Sequence, residues 1–227
     1  MNMNKILIVI FLLSSFLFPL SSFSQAAPEF LVTWKASSYA PSDYLGRILP
    51  SRGAPVEVNF ELVDKNKIAD LSKNEIRWYL DNKLQKTGKG IKKFNFAVAN
   101  FADQTHQIRM TVIKYKTLGD LEKSITIPIV SPQVVIDAPY ANNRIRSGLN
   151  SFRALPYFFN IADLSQLIVE WSANGQKTSG AVANPEILDL NITGGKRSAE
   201  INLSVNAKNR ANEIEQANES IKLVIGN

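Results

Sequence analysis

Ile68-Ala69-Asp70-Leu71-Ser72 recurs unchanged as Ile161-Ala162-Asp163-Leu164-Ser165, 93 residues downstream. The tryptophan behind it recurs at the same spacing, Trp78 as Trp171. An apolar triplet follows, with Ile108, Met110 and Val112 falling on Ile201, Leu203 and Val205. A single spacing that aligns a pentapeptide, a tryptophan and an alternating triplet marks an internal duplication. The chain reads as two copies of one small domain.

Each copy has the pattern of a β domain. Gln107-Ile108-Arg109-Met110-Thr111-Val112 alternates polar and apolar residues, as does a strand with one face on a core and the other in water. Glu200-Ile201-Asn202-Leu203-Ser204-Val205 alternates in the same phase. Closing strands are expected at Ser124–Ile127 and Ser220–Ile225, and opening strands at Phe30–Val32 and Val134–Ile136. Between them, Val56–Val63 and Glu75–Leu80 are answered by Pro156–Asn160 and Leu167–Trp171. Asp81-Asn82, Gly88–Gly90, Asn174-Gly175 and Gly194-Gly195 supply turn chemistry. About seven short strands per copy around one buried tryptophan predict a β-sandwich.

Residues 1–26 read as a secretory signal peptide. Lys5 is the lone charge, the apolar run Ile6–Leu20 follows, and small residues at Ser24 and Ala26 suit cleavage after Ala26. Domain 1 is then expected over 27–130, with a loop insert at 36–55, and domain 2 over 131–227. Asn142–Ser151, with Arg144 and Arg146, is the weaker analogue of that insert. The boundary at Pro128–Pro132 is short and stiff, which predicts two domains end to end as a semi-rigid rod. No second apolar span follows the signal, so the mature chain is expected to lie outside the cytoplasm. The chain contains no cysteine, which suits a bacterial envelope better than a disulfide-rich secretory pathway.

Ile76-Arg77-Trp78-Tyr79-Leu80-Asp81-Asn82 and His106–Val112 carry a resemblance to bacterial immunoglobulin-like domains of the PKD type. The first string is similar to that family's strand-C turn, the second to its "Y-x-V-x-L-x-V" strand. The resemblance implies an all-β chain with two tandem immunoglobulin-like sandwiches. His106 stands where the PKD pattern has tyrosine, and at the same spacing the second copy has Ala199. The chain as a whole also resembles secreted proteins of candidate-phylum bacteria with very small genomes, which implies an envelope location.

Little in the sequence points to catalysis. One histidine and no cysteine exclude Cys–His nucleophiles, zinc fingers and multi-histidine metal sites. His106 sits in phase with the core face of its strand and is read as structural or solvated. Asp70 and Asp163 are read as caps of a short helical turn, with the neighbouring Ile and Leu entering the core. A calcium site needs six to eight oxygens, and no D-x-D-x-D-G run is present. Trp78 and Trp171 are expected in the sandwich cores. Tyr39, Tyr44, Tyr140 and Tyr157 are the candidate exposed aromatics for a sugar platform. No enzyme activity, cofactor or metal is expected.

Charge supplies the strongest functional signal. Residues 28–131 carry 16 Lys/Arg against 11 Asp/Glu, and residues 132–227 carry nine of each. Lys83, Lys86, Lys89, Lys92 and Lys93 lie in an acid-free stretch of eleven residues. They admit two readings: a solvated edge that uses lysine to block strand addition, or a docking patch for an anionic envelope polymer, nucleic acid or lipid headgroups. Tyr39, Tyr44, Arg47 and Arg52 are candidate contact residues of the insert, since long loops at the ends of sandwiches carry binding. Two functions are therefore expected. One is a non-enzymatic envelope protein acting as a structural, adhesion or accessory module of a surface assembly, pilus-associated assemblies included, with another envelope protein as partner. The other is an electrostatic binding module gripping a polyanion through Lys83–Lys93.

Overall fold

The computed structural model describes residues 27–178, 184–193 and 199–226. The expected signal peptide at 1–26 and the Gly194-Gly195 turn lie outside these residues.

The first eight strands are β1 (Glu29–Ala36), β2 (Pro55–Asp64), β3 (Lys67–Ile68), β4 (Glu75–Leu80), β5 (Lys83–Lys89), β6 (Lys93–Ala97), β7 (Thr105–Val112) and β8 (Leu121–Pro128). They form two sheets. In one, β2 lies between β1 and β6, with β3 hairpinned on its end; the other runs β5-β4-β7-β8. The second set is β9 (Gln133–Asp137), β10 (Arg144–Ile145), β11 (Gly148–Tyr157), β12 (Leu167–Ala173), β13 (Gln176–Thr178), β14 (Ile187–Ile192), β15 (Glu200–Asn209) and β16 (Asn212–Ile225). Its sheets run β14-β11-β9 and β10-β16-β15-β12-β13. Both sets thus place a three-strand antiparallel ladder against a sheet in which the tryptophan strand lies next to the edge hairpin strand (β4 beside β5, β12 beside β13). This is the strand order of an immunoglobulin-like sandwich, and the chain is all-β.

The hydrophobic effect fixes each sandwich through alternation. In β2 every second residue (Val56, Val58, Phe60, Leu62) is buried, and β7 buries Ile108, Met110 and Val112 against it. Trp78 is 0% and Trp171 is 1% exposed. Each indole N–H donates to a backbone carbonyl in the segment leading to the next strand of the opposite sheet, Trp78 to Ile91 at 2.7 Å and Trp171 to Pro185 at 3.0 Å. A buried indole needs such a partner.

Strand register corrects the alignment of the duplication. Trp78 lies opposite Met110, but Trp171 lies opposite Val205. The residue equivalent to Met110 is therefore Val205, 95 positions on, and not Leu203. The turns agree. Asp81 and Asn174 hold equivalent two-residue turns at positive φ (49° each), and accept from the N–H groups of Gln107 and Asn202 respectively. A slip of two residues keeps every side chain on its face, so alternation at a spacing of 93 looked the same as at 95. His106 consequently corresponds to Ile201, and Ala199 lies outside the comparison.

Three further expectations change. The strand placed at Pro156–Asn160 is β11, which begins at Gly148, so the analogue loop is shorter than Asn142–Ser151. Tyr157 ends that strand; both Phe158 and Phe159 are buried, and Phe158 has φ 63°. The repeated pentapeptide buries different residues in its two copies: Leu71 but not Ile68 (68% exposed) in the first, Ile161 at 7% in the second. Asp163 caps the 3-10 turn Leu164–Gln166 in a capping box with Gln166. Asp70 accepts the Ser72 N–H in the same way at 2.9 Å, but Lys73 stands where Gln166 closes the box, and there a single turn, closed by the Asn74 N–H donating to the Leu71 carbonyl at 3.0 Å, takes the place of the 3-10 helix.

Candidate functional site

The basic stretch folds into an edge. Asp81-Asn82 turns the chain back on itself, and among the described residues β5 pairs with β4 on one side only, as the terminal strand of its sheet. Its register breaks between Trp78 and Tyr79: Tyr79 lies opposite Leu84, whereas Trp78 lies opposite Lys86. Gln85 is the extra residue of a β-bulge. Lys83, opposite Leu80, and Lys86 therefore share the face that carries Trp78 although they are three residues apart. Lys89, opposite Glu75, lies on the other face with Leu84 and Thr87. All three lysines are exposed, and Leu84 is 53% exposed.

The five lysines do not act alike. Lys92 reaches Glu61 at 2.7 and 2.6 Å, and Lys93 is ion-paired with Glu57 on β2, the strand beside it. Among the described residues, Lys83, Lys86 and Lys89 have no acidic partner. The Lys93 hydrogen bond, then that of Asn59, holds the Glu57 carboxyl down at about 2. Because the folded value is depressed, this contribution to stability is complete above the unfolded value of 4.5 and is lost as pH falls toward about 2. Lys93→Gln is expected to move the Glu57 carboxyl titration, followed by carbon-detected NMR, upward toward 4.5. An unchanged titration would mean that the pair does not form in solution.

The insert goes elsewhere. Pro50 accepts the Val130 N–H at 3.0 Å just past β8, as Ile145 of β10 accepts that of Gly226 past β16. Pro50 thus stands where the second sandwich has Ile145, and the residues between β1 and Pro50 form an excursion that reaches the second sandwich. There Tyr39 exchanges two backbone hydrogen bonds, its N–H donating to Phe159 and its carbonyl accepting from Phe158, both at 2.7 Å. The Tyr39 ring packs on the core around Trp171, and burial pushes its phenol up. Tyr44 meets Tyr157 and Phe158 edge-on at 5.4 and 6.0 Å. A left-handed phenylalanine is strained by about 1–3 kcal/mol, so the contacts of Tyr39 and Tyr44 hold Phe158 in place.

Asn160 completes the junction. Its side chain donates to the Arg52 carbonyl at 2.8 Å and accepts from the Ser51 hydroxyl at 3.3 Å. Its N–H donates to the buried carboxylate of Glu215 at 2.5 Å, which also accepts from Asn209 Nδ2 at 2.6 Å. Beside this knot lies a cleft of about 700 Å³ lined from both sandwiches, with Val98, Phe101 and Val130 on one wall and Ile214 on the other. Arg52 stacks over the Phe101 ring at 4.2 Å, and Arg47 over Trp34 at 4.8 Å. Nothing in the sequence linked Glu215, Asn209 or Asn160 to the insert. Asn209, in phase with the core-facing Leu203, Val205 and Ala207, was the one available signal.

The remaining candidates are tied into the fold. His106 is 1% exposed. Its Nδ1 lies 2.6 Å from Asp81 Oδ2 and its Nε2 accepts from the Ala99 N–H at 3.3 Å. That pattern assigns the proton to Nδ1. The ring also abuts Phe96 edge-on at 5.3 Å. The Tyr140 hydroxyl accepts from the Ser151 N–H at 2.8 Å. Among the described residues no three His, Asp or Glu side chains gather as metal ligands, and no helix is long and apolar enough to cross a membrane.

No known protein family matches the chain, and neither does any curated protein. Among solved structures it is similar to the three N-terminal domains of the highly immunogenic outer capsid protein of bacteriophage RB49, at 10% identity over 88% of this chain and 59% of that one, with a TM-score of 0.47. It is similar also to fibronectin(III)-like modules of Clostridium thermocellum CbhA, at 11% identity over 86% and 94% of the two chains, TM-score 0.31. A third is the Bacteroides ovatus mixed-linkage glucan utilization locus protein SGBP-B in complex with a mixed-linkage heptasaccharide, at 12% identity over 89% and 48%, TM-score 0.27. The chain spans about three fifths of the phage chain's length. It is the order of strands β1–β16 that makes this chain a pair of immunoglobulin-like sandwiches.

Proposed function

We propose that this chain is a non-enzymatic interaction module of a bacterial envelope, exported behind a signal peptide at residues 1–26. It comprises domain 1 (27–130) and domain 2 (131–227), held in fixed register by the insert, and serves as a structural, adhesion or accessory part of a surface assembly. The observation that carries this reading is the division of labour along the first sandwich. Tyr39 and Tyr44 of the insert are engaged with domain 2, whereas Lys83, Lys86 and Lys89 stand together, exposed, on one sheet edge where a partner can reach them. Arg47 and Arg52, exposed beside the junction, are secondary contact residues. The partner is another envelope protein, recognised through the edge.

The test is retention from envelope extract on the immobilised protein, eluted first by salt and then by denaturant. A discrete protein that survives the salt step supports the proposal. Retention of polyanion alone, released steeply by salt, moves the function to the electrostatic reading through Lys83–Lys93, since phosphate and carboxylate polymers held by lysine exchange with counterions.

A further inference from the structure

Resting on that reading, we infer that the β5 edge accepts an extended acidic segment of a protein partner as an added strand, with acids at alternate positions facing Lys83 and Lys86. An edge strand presents unpaired backbone N–H and C=O groups along its outer side, and a sheet will take another strand wherever side chains allow it. The side chains here set the condition. Two copies of β5 brought edge to edge would oppose lysine to lysine, which rejects self-pairing. An acidic strand removes that repulsion and gains charge-assisted contacts instead.

The bulge at Gln85 makes the requirement specific. In an unbroken strand, residues three apart face opposite sides. The extra residue brings Lys83 and Lys86 onto one face, opposite Leu80 and Trp78 respectively. Leu80 and Trp78 are two residues apart in sequence. A regular partner strand therefore meets both lysines with acids two residues apart. Its other face then runs beside Leu84, 53% exposed, and Thr87, with Lys89 at the far end of the strand. This face takes an apolar, β-branched residue. The recognised pattern is Glu-x-Glu with valine-like residues between, in extended conformation. A flexible polyanion satisfies the charge but not the ladder.

Two synthetic peptides separate these cases. One, of nine residues, alternates glutamate with valine; the other, the proline peptide, has a central Glu-Val pair replaced by Pro-Pro with one glutamate added at its end, keeping the charge but removing a ladder N–H whichever edge faces β5. The first is expected to bind, to slow amide exchange within residues 83–89, and to bind at least about tenfold more tightly than the proline peptide, a fold-change worth about 1.4 kcal/mol. Lys83→Gln/Lys86→Gln is expected to weaken it about tenfold, while the amide spectrum outside the edge stays unchanged. Equal binding of both peptides would overturn the inference in favour of charge alone. Absence of binding would overturn it in favour of lysines that only guard the edge. Neither peptide contains an envelope component, so failure here is distinguishable from failure to retain a partner from extract.

Discussion

Trp78→Ala is expected to destabilise the first sandwich by about 3–5 kcal/mol, the range for emptying a large aromatic site in a packed core. Trp78 is fully buried, with Phe60 and Phe94 each 5.5 Å away by ring centroid, and its indole N–H satisfies the Ile91 carbonyl. Alanine leaves both a cavity and an orphaned acceptor. For a domain of this size, that loss lowers the melting temperature by more than about 12 °C. Calorimetry checks it directly. A shift of only a few degrees would mean that the ring is not at the centre of the core. Trp171→Ala is expected to act similarly on the second sandwich, through Pro185.

Glu215→Ala is the second large effect, at about 2–4 kcal/mol. Glu215 is 6% exposed and, among the described residues, has no cationic partner. It is held by the Asn160 N–H and by Asn209 Nδ2. Removing the carboxylate strands the Asn160 N–H and leaves Asn209 Nδ2 only its long 3.4 Å bond to the Asn160 carbonyl, an unsatisfied buried donor costing about 1–3 kcal/mol. The loss spreads beyond the second sandwich because Asn160 also binds Ser51 and Arg52 of the insert. Asn160→Ala separates the two effects. It is expected to leave the Glu215 bonds to backbone and Asn209 in place while loosening the insert, so that chemical-shift changes centre on residues 37–54. If Glu215→Ala melts like the unaltered protein, the buried network does not exist in solution.

How far the sequence could be read follows from the range of each interaction. The alternating strands, the turns at Asp81-Asn82 and Asn174-Gly175 and the buried tryptophans depend on alternation and local turn chemistry, and these were legible; the turn expected at Gly88–Gly90 was not, since β5 runs through Gly88 and Lys89. Alternation has a period of two, so it could not distinguish a spacing of 93 from one of 95. Only the pairing of Trp171 with Val205 and of Asn174 with Asn202 resolved it. The insert at 36–55 was visible as an interruption, but its destination was not. It docks on Phe158, Phe159 and Asn160, more than 100 residues away in the chain, and no local pattern encodes that. The lysine stretch was visible as charge. Its division into Lys92 and Lys93, paired to β2, and an unpaired trio on β5 required the neighbouring strand. The bulge that brings Lys83 and Lys86 onto one face required the register of β4 against β5.

The proposal that the open β5 edge is the contact surface is tested most directly by comparing two proteins on the same envelope extract. One is unaltered; the other carries Lys83→Gln, Lys86→Gln and Lys89→Gln. All three lysines are exposed and, among the described residues, have no acidic partner, so the altered protein is expected to melt within about 0.5 kcal/mol of the original. The expected result is a discrete protein retained through the salt step by the unaltered chain and lost from the altered one. Equal retention of that protein by both would contradict the assignment of the edge as the contact surface.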